Sequence, residues 1–409
     1  MKNYIKYLFA SLILVTGCEI DEQVNPNSPA VNNIISGATS IDLNNIVTGS
    51  LAAMRTNHST YVTASGTLAR ELYLFDADPR NRTDLLGTNV STLDNNTFYT
   101  TGPWNSRYRT IKNLNILLEA ADNAIVTDAQ KNGYKGFANT LLAHQFLMLI
   151  NAQNENGIRI DVADPDNLGP IVNKSAAFTR IQALLDEAET QLAGADFAFN
   201  LTTGFAGFDT PSTFLEFNRA LAARVELYLG NGANALTELQ SSFFDLNGDL
   251  TVGPKMVFSN TGADVLNGLF KAPNQNGDQI VVNNGFINDA EAGDLRVANK
   301  TAPRETPTTL SGVGGTHETR LFASSTSPID IIRNEELILI YAEANLMTDN
   351  LSEAEAALDV IRTAAGLDPI ATAKPTIVNN KAGLIDEMLN QRRYSLWSEG
   401  HRMIDLRRY

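Results

Sequence analysis

AARVELYLGNGANALTELQ, residues 222–240, and YAEANLMTDNLSEAEAALD, residues 341–359, align without a gap at an offset of 119 residues. In that alignment Ala223, Leu227, Ala235 and Leu239 fall on Ala342, Leu346, Ala354 and Leu358. Small residues twelve positions apart, one on each helix, let the two helices of a hairpin approach closely, which is the packing logic of a tetratricopeptide repeat. Ser352 and Glu355 read as a capping box at the start of the later pair's second helix. A plain αα-hairpin would carry the same alanines, so repeat ancestry stays open on this pattern alone.

Helical periodicity spreads outward from these pairs. Residues 106–126 set Ile111, Leu114, Ile116, Leu117, Leu118, Ala121 and Ile125 on one broad face. Stretches 135–152, 178–193, 213–229, 233–244, 331–347, 352–365 and 382–397 follow the same rule. Strands are few, and DQIVVNNGF at 278–286 is the best candidate. Polar stretches at 73–104, 154–174, 245–278 and 285–328 are rich in Asn, Gly, Asp, Thr and Pro. Loops this long inside a compact domain are usually functional or disordered. The expectation is a mainly α chain, a tetratricopeptide-like helical-hairpin scaffold with long irregular loops and little strand, forming one domain over 31–409.

The chain opens with Lys2 and Lys6, an apolar run from Leu8 to Val15, then Val15-Thr16-Gly17-Cys18. The run is too short to span a bilayer and reads as a signal peptide, 1–17, ending in a bacterial lipobox. Cys18 is then the lipidation site, and acyl chains there would hold the protein at a membrane. It is also the only cysteine, which excludes an intramolecular disulfide. Residues 18–30, acidic and rich in Asn and Pro, read as a flexible tether. Removing 1–17 deletes two lysines, leaving 46 acidic against 29 basic residues. Such a balance argues against a nucleic-acid partner, whose phosphates need a basic patch.

No nucleophile elbow, Walker loop, dinucleotide glycine pattern or zinc-ligand cluster is present. Residues 245–250, DLNGDL, begin like a calcium loop but place Leu250 where glycine must turn and Met256 where a bidentate glutamate belongs. Nothing marks a pair of carboxylates for glycoside hydrolysis. No cofactor and no metal are expected.

NQRRYSLWSEGHRMIDLRRY, 390–409, crowds arginine into an acidic chain. Arg392, Arg393, Glu399, His401, Arg402, Asp405 and Arg407 lie among apolar residues that must be largely buried. A structural ion-pair network is the expectation, because the guanidinium fork satisfies a carboxylate with two hydrogen bonds. His401 and Asp405, one helical turn apart, are also spaced to share a metal.

The chain resembles the SusD/RagB family of nutrient-uptake outer-membrane lipoproteins of Bacteroidota. Besides the lipobox, the resemblance rests on IIRNEELILIYAEANLMTDNLSEAEAALDVIRTAAGL at 331–367 and NQRRYSLWSEGHRMIDLRR at 390–408. WNSRYRTIKNLNILLEA at 104–120, KGFANTLLAHQFLMLI at 135–150 and NRALAARVELYL at 218–229 add to it. His144 stands where the family usually carries an arginine. What the resemblance implies is a non-enzymatic, surface-exposed lipoprotein, lipid-anchored in the outer membrane. It would capture glycans or oligosaccharides and deliver them to a SusC-like TonB-dependent transporter. Alternatives are a lipid-anchored glycan hydrolase, a repeat adaptor, and a binder of a non-glycan nutrient such as peptide.

The family's ligand residues come from variable loops, so the choice falls to chemistry. Sugars stack flat C–H faces on aromatic rings and hydrogen-bond through their hydroxyls. The 73–104 loop combines Tyr73, Phe75, Tyr99 and Trp104 with Asp76, Asp78, Arg80, Asn81 and Arg82, the densest such mixture in the chain. Tyr73, Phe75 and Trp104 fit a core role as well. Arg80 and Arg82 would also suit an acidic sugar.

Overall fold

The computed structural model describes residues 35–262 and 264–409. Cys18 and the stretches read as a signal peptide, 1–17, and a tether, 18–30, lie outside the described residues. The order begins α1 (Ser40–Ala53), α2 (His58–Leu68), β1 (Leu72–Phe75), α3 (Arg80–Leu86), α4 (Phe98–Asn123) and α5 (Asp128–Gln153). Next come β2 (Ile158–Arg159), β3 (Ile171–Val172), α6 (Lys174–Leu192), α7 (Pro211–Tyr228) and α8 (Gly232–Gln240). The middle holds β4 (Lys255–Met256), β5 (Gln279–Val282), α9 (Asn284–Asn288), α10 (Leu295–Lys300), β6 (Thr301–Leu310), β7 (Val313–Thr319) and β8 (Ile329–Asp330). The chain closes with α11 (Asn334–Met347), α12 (Leu351–Ala364), α13 (Ile370–Ala373), α14 (Lys381–Ser395) and α15 (Arg402–Arg408).

The two aligned stretches are the hairpins α7/α8 and α11/α12, and α8 packs on α11 so that the hairpins stack. All eight aligned residues are buried, none more than 2% exposed. Close approach is what the small residues provide. A Cβ on Gly232 would sit 2.7 Å from the Met347 Cβ and 2.9 Å from the Ala344 carbonyl oxygen. The capping box expected at Ser352 does not form. Helix α12 starts at Leu351 with no side-chain cap. Asp349 takes a left-handed φ of 60°, and Asn350 N–H donates to the Asn345 carbonyl (2.9 Å), so the turn closes before Ser352 is reached.

Helix α5 is buried on nearly all sides from Gly136 to Leu147 and runs through the core, its few polar side chains there, such as Asn139, Thr140 and Gln145, finding partners inside the protein. Its Gly136 lets α6 approach until a Cβ there would lie 2.6 Å from the Leu192 Cγ. The strand expected at 278–286 is β5, whose Ile280, Val281 and Val282 are fully buried. It pairs antiparallel with β1 from Leu72↔Val282 to Phe75↔Gln279, within a four-stranded sheet of order β1-β5-β7-β6.

Two stretches read as irregular are therefore more ordered than the sequence suggested. The segment 73–104 contains most of β1, all of α3 and the start of α4, while 285–328 contains most of α9, α10 and the β6/β7 hairpin. Pro303 and Pro307 hide β6 from a propensity reading. A proline is tolerated on an edge strand or at a bulge, and β6 is an edge strand whose register shifts between Pro303 and Thr308. The turn is Ser311-Gly312 with φ of 53° and 80°, the positive pair a two-residue hairpin turn requires.

The C-terminal segment folds against the second hairpin. Arg392 Nε donates to Asp405 Oδ2 (2.9 Å), and Arg408 Nη1 donates to Glu343 Oε1 (2.6 Å) while its Nη2 reaches Asp405 Oδ1 (3.0 Å). Arg393 pairs with Asp289 at 3.0 Å, and Glu399 pairs with Arg333. His401 is neutral, since burial pushes its pKa down to about 4. Its Nδ1 meets the Tyr228 hydroxyl at 3.2 Å. Asp405 is occupied by the two arginines, so His401 and Asp405 share no metal here. Arg402 and Arg407 stand apart from the expected network, because neither makes a salt bridge among the described residues.

Candidate functional site

A cavity of about 630 Å³ opens where α2, α3, α4, α5, α15 and the loop before α4 meet. Helix α2 contributes Tyr61 and Ser65, the loop before α4 contributes Leu93, Asp94 and Asn95, and α4 contributes Tyr99, Trp104 and Arg107. The C-terminal end of α5 adds Met148 and Gln153, and α15 adds Met403 and Arg407. An apolar wall with a few convergent polar groups is the usual character of a small-molecule site.

Each wall is fixed by an identifiable contact. The Trp104 ring is half-buried and packs on Tyr108 with centroids 4.8 Å apart. Tyr108 is itself tied to β2, its hydroxyl bonding both the carbonyl and the amide of Arg159 at 2.9 Å. The Tyr99 hydroxyl accepts from Asp94 N–H (2.8 Å) and donates to Asp84 (3.1 Å), which anchors the loop above the cavity. Asp94 accepts from the Asn96 amide and the Thr97 hydroxyl, contacts that hold its carboxyl below the usual range and keep it ionised. Tyr61 is held by Gly400, where a Cβ would come within 2.9 Å of the ring and φ is +84°, so only glycine fits the SEGHR turn.

Of the nine residues nominated from sequence, Tyr99 and Trp104 line this cavity. The others lie elsewhere and are engaged by their neighbours. Tyr73 and Phe75 are buried in the sheet and offer no exposed ring face; the Tyr73 hydroxyl accepts from Asn283 (2.6 Å). Arg80 grips Asp78, with Nη2 at 2.6 Å from Oδ2. Asn81 donates to Asp76 (2.7 Å). Arg82 is buried, donating to the Leu74 carbonyl (3.0 Å) and lying over the Phe75 ring. Tyr61, Asp94, Asn95, Gln153 and Arg407 were not nominated as ligand residues, because fold rather than spacing brings them together.

The arginines show a pattern. Arg82, Arg219, Arg224, Arg296, Arg304, Arg333, Arg362 and Arg392 are buried, and each lies within 4.0 Å of a carboxylate. Arg107, 2% exposed, is the buried arginine with no carboxylate partner among the described residues. Its Nη1 donates to the Met54 carbonyl (2.6 Å) and to Gln145 Oε1 (3.1 Å), while Nε and Nη2 have no partner. Burial pushes its pKa down to about 10, which still leaves it cationic at neutral pH.

Behind Tyr61 lies a second, smaller cavity of about 40 Å³, bordered by His58, His144 and His401, with room for a few waters at most. Burial drives His58 down to about 3 and His144 well below its ordinary range, so both are neutral. Among the described residues no group of His, Cys, Asp or Glu is arranged to hold a metal, and no helix is long and apolar enough to cross a membrane.

Comparison with known proteins agrees with this architecture. The SusD family model matches residues 294–409, the part holding the second hairpin and the SEGHR turn. A SusD superfamily protein from Bacteroides thetaiotaomicron VPI-5482 superposes with a TM-score of 0.67 at 16% identity, covering 90% of this chain and 89% of that one. A putative sugar binding protein from Bacteroides vulgatus ATCC 8482 gives 0.63 at 18% identity over 90% and 86%. A laminarin binding SusD-like protein gives 0.60 at 16% over 88% and 90%. No curated protein matches. The chain thus has the SusD-like helical fold, and its C-terminal part resembles the SusD family in sequence.

Proposed function

We propose that this chain is a surface lipoprotein that captures glycans or oligosaccharides in the cavity between α2, α4, α5 and α15. It would be anchored in the outer membrane through Cys18 and pass its ligand to a SusC-like TonB-dependent transporter. The observation that carries the reading is the cavity of about 630 Å³, which sets the half-buried Trp104 ring beside Asp94, Asn95, Gln153 and Arg407. An aromatic face with amides and charged groups around it is the chemistry a sugar needs. The similarity to proteins described as sugar binding and laminarin binding points the same way.

Capture fits the cavity better than hydrolysis does. A glycosidase needs two carboxylates flanking the scissile bond, one of them protonated. Asp94 is the one carboxylate lining the cavity, and its hydrogen bonds keep it ionised. The test is retention of a polysaccharide panel by the full chain, with new reducing ends scored in the same samples. Retention without new ends, weakened by Trp104→Ala, is the expected result. New ends would replace capture by hydrolysis; no retention of any glycan, with transporter pull-down intact, would favour an adaptor.

A further inference from the structure

Resting on the capture reading, we infer that the cavity binds an anionic group of the ligand, the carboxylate or sulfate ester of an acidic saccharide, at the part of its wall formed by Arg407, Tyr61 and Arg107. The argument begins from charge balance. This chain has 46 acidic residues against 31 basic ones, so carboxylates are abundant, and eight of its nine buried arginines have found one. A buried cation without a counter-charge is costly to fold around. Arg107 carries that cost, with Nε and Nη2 unbonded and out of contact with water.

Its surroundings do not neutralise it. His58 and His144, two titratable groups near it, are held uncharged by burial first, with Arg107 adding to the effect on both and Arg224 to that on His144. Arg407, also in the cavity lining, makes no salt bridge among the described residues and spends Nη1 on the Asn151 carbonyl (2.6 Å). The positive charge of Arg107 and Arg407, and of Arg224 to a smaller degree, reaches the Tyr61 hydroxyl, which makes no hydrogen bond among the described residues, and Tyr61 lines the cavity. Asp94, the single acid of the lining, is occupied by the Asn96 amide and the Thr97 hydroxyl. This part of the lining therefore combines an unbonded tyrosine hydroxyl, an exposed guanidinium and a buried cation without a counter-charge. A carboxylate or sulfate supplies what these lack; a neutral sugar does not. Arg80 and Arg82, the arginines the sequence offered for an acidic ligand, are already paired with Asp78 and Asp76.

Trp104 makes the test direct. Of the two tryptophans, Trp397 is fully buried, so a ligand-dependent change in fluorescence reports on Trp104. The full chain, purified in detergent, is titrated with an oligogalacturonate, the same oligosaccharide after carboxyl reduction, and a sulfated oligosaccharide. The expected result is binding of at least one anionic sugar about tenfold or more tighter than the reduced one, since a hydrogen bond to a charged group is worth roughly that factor. The preference should weaken with salt, disappear in Arg407→Ala and return in part in Arg407→Lys, with thermal stability changed little, because Arg407 is exposed and loses a single hydrogen bond, the one to the Asn151 carbonyl. Response to the carboxylated sugar alone, or to the sulfated one alone, identifies the source of the anion. Equal binding of acidic and reduced sugars, or an Arg407→Ala variant that keeps the preference, overturns the inference and leaves glycan capture standing. Absence of binding by all three, together with failure of the polysaccharide panel, overturns both.

Discussion

Glu71 is a buried acid that should make the fold less stable as pH rises. It lies in the turn between α2 and β1, 6% exposed, with neither carboxylate oxygen hydrogen-bonded. Its own carbonyl accepts from Asn283 N–H (3.3 Å) and Trp397 Nε1 (3.4 Å), which pins the residue in place. Burial pushes its pKa from 4.5 up to about 8. The Ser398 N–H dipole pulls the other way without making a full hydrogen bond, Glu399 adds to the rise, and Arg402 and Lys300 oppose it. Between those two values the folded state holds a proton that the unfolded state has released, so stability falls with pH across that window and is flat on either side. At about 1.36 kcal/mol per pH unit, the gap from 4.5 to about 8 sets a ceiling of about 5 kcal/mol. Glu71→Gln keeps the shape and removes the titration, and whatever its buried amide costs is the same at every pH. Urea unfolding of both proteins at about pH 5 and about pH 8.5 then isolates the effect. The variant should gain several kcal/mol on the parent between the two conditions. A stability gap that stays constant within about 0.5 kcal/mol would mean that water or a rearranged Arg402 solvates the carboxylate, and the reasoning from burial would fail.

Two further substitutions probe the frame around the cavity. Arg224→Ala strips the partner from Glu336, which Arg224 holds with two 2.6 Å hydrogen bonds and pulls down to about 2 against the opposing effect of burial. The expected loss is about 3 to 5 kcal/mol in urea unfolding, and Arg224→Met with Glu336→Leu should recover much of it; a double variant no better than the single one would show that the pair matters for more than charge. Gly400→Ala combines a left-handed φ of +84° with a 2.9 Å approach to the Tyr61 ring. Calorimetry should show a loss of about 1 kcal/mol or more, accompanied by weaker ligand response at Trp104. Unchanged stability and binding would show that the turn and Tyr61 yield freely.

The scaffold was legible because helical periodicity is local. The hairpin alanines, the long apolar helix α5 and strand β5 could all be read from spacing alone. What escaped depended on tertiary partners. Pro303 and Pro307 argue against a strand until β6 is known to be an edge, and Ser352 resembles a cap until the preceding turn closes early. The 73–104 segment stands out in sequence for its density of aromatic and polar groups, yet density does not reveal who pairs with whom. Asp76, Asp78, Arg80, Asn81 and Arg82 turned to each other, and Trp104 and Tyr99 faced a cavity completed by residues from α2, α5 and α15.

The C-terminal helix shows how one short element can hold both kinds of role. Asp405 and Arg408 are three residues apart and share a face of α15, the one that meets Glu343 and Arg392. Met403 and Arg407 are four apart and share another face, the one that lines the cavity. Placing Arg407 in one ion-pair network with Arg392 and Asp405 ignores that rotation, because adjacent residues on a helix point about 100° apart. Arg408 is held against Glu343, so the helix cannot turn without breaking that bond, and Arg407 is thereby fixed in the cavity wall. The packing face thus sets the register of the binding face. A variant that frees Arg408 from Glu343 should therefore disturb the response at Trp104 as well as stability, whereas one at Arg407 should disturb the response alone.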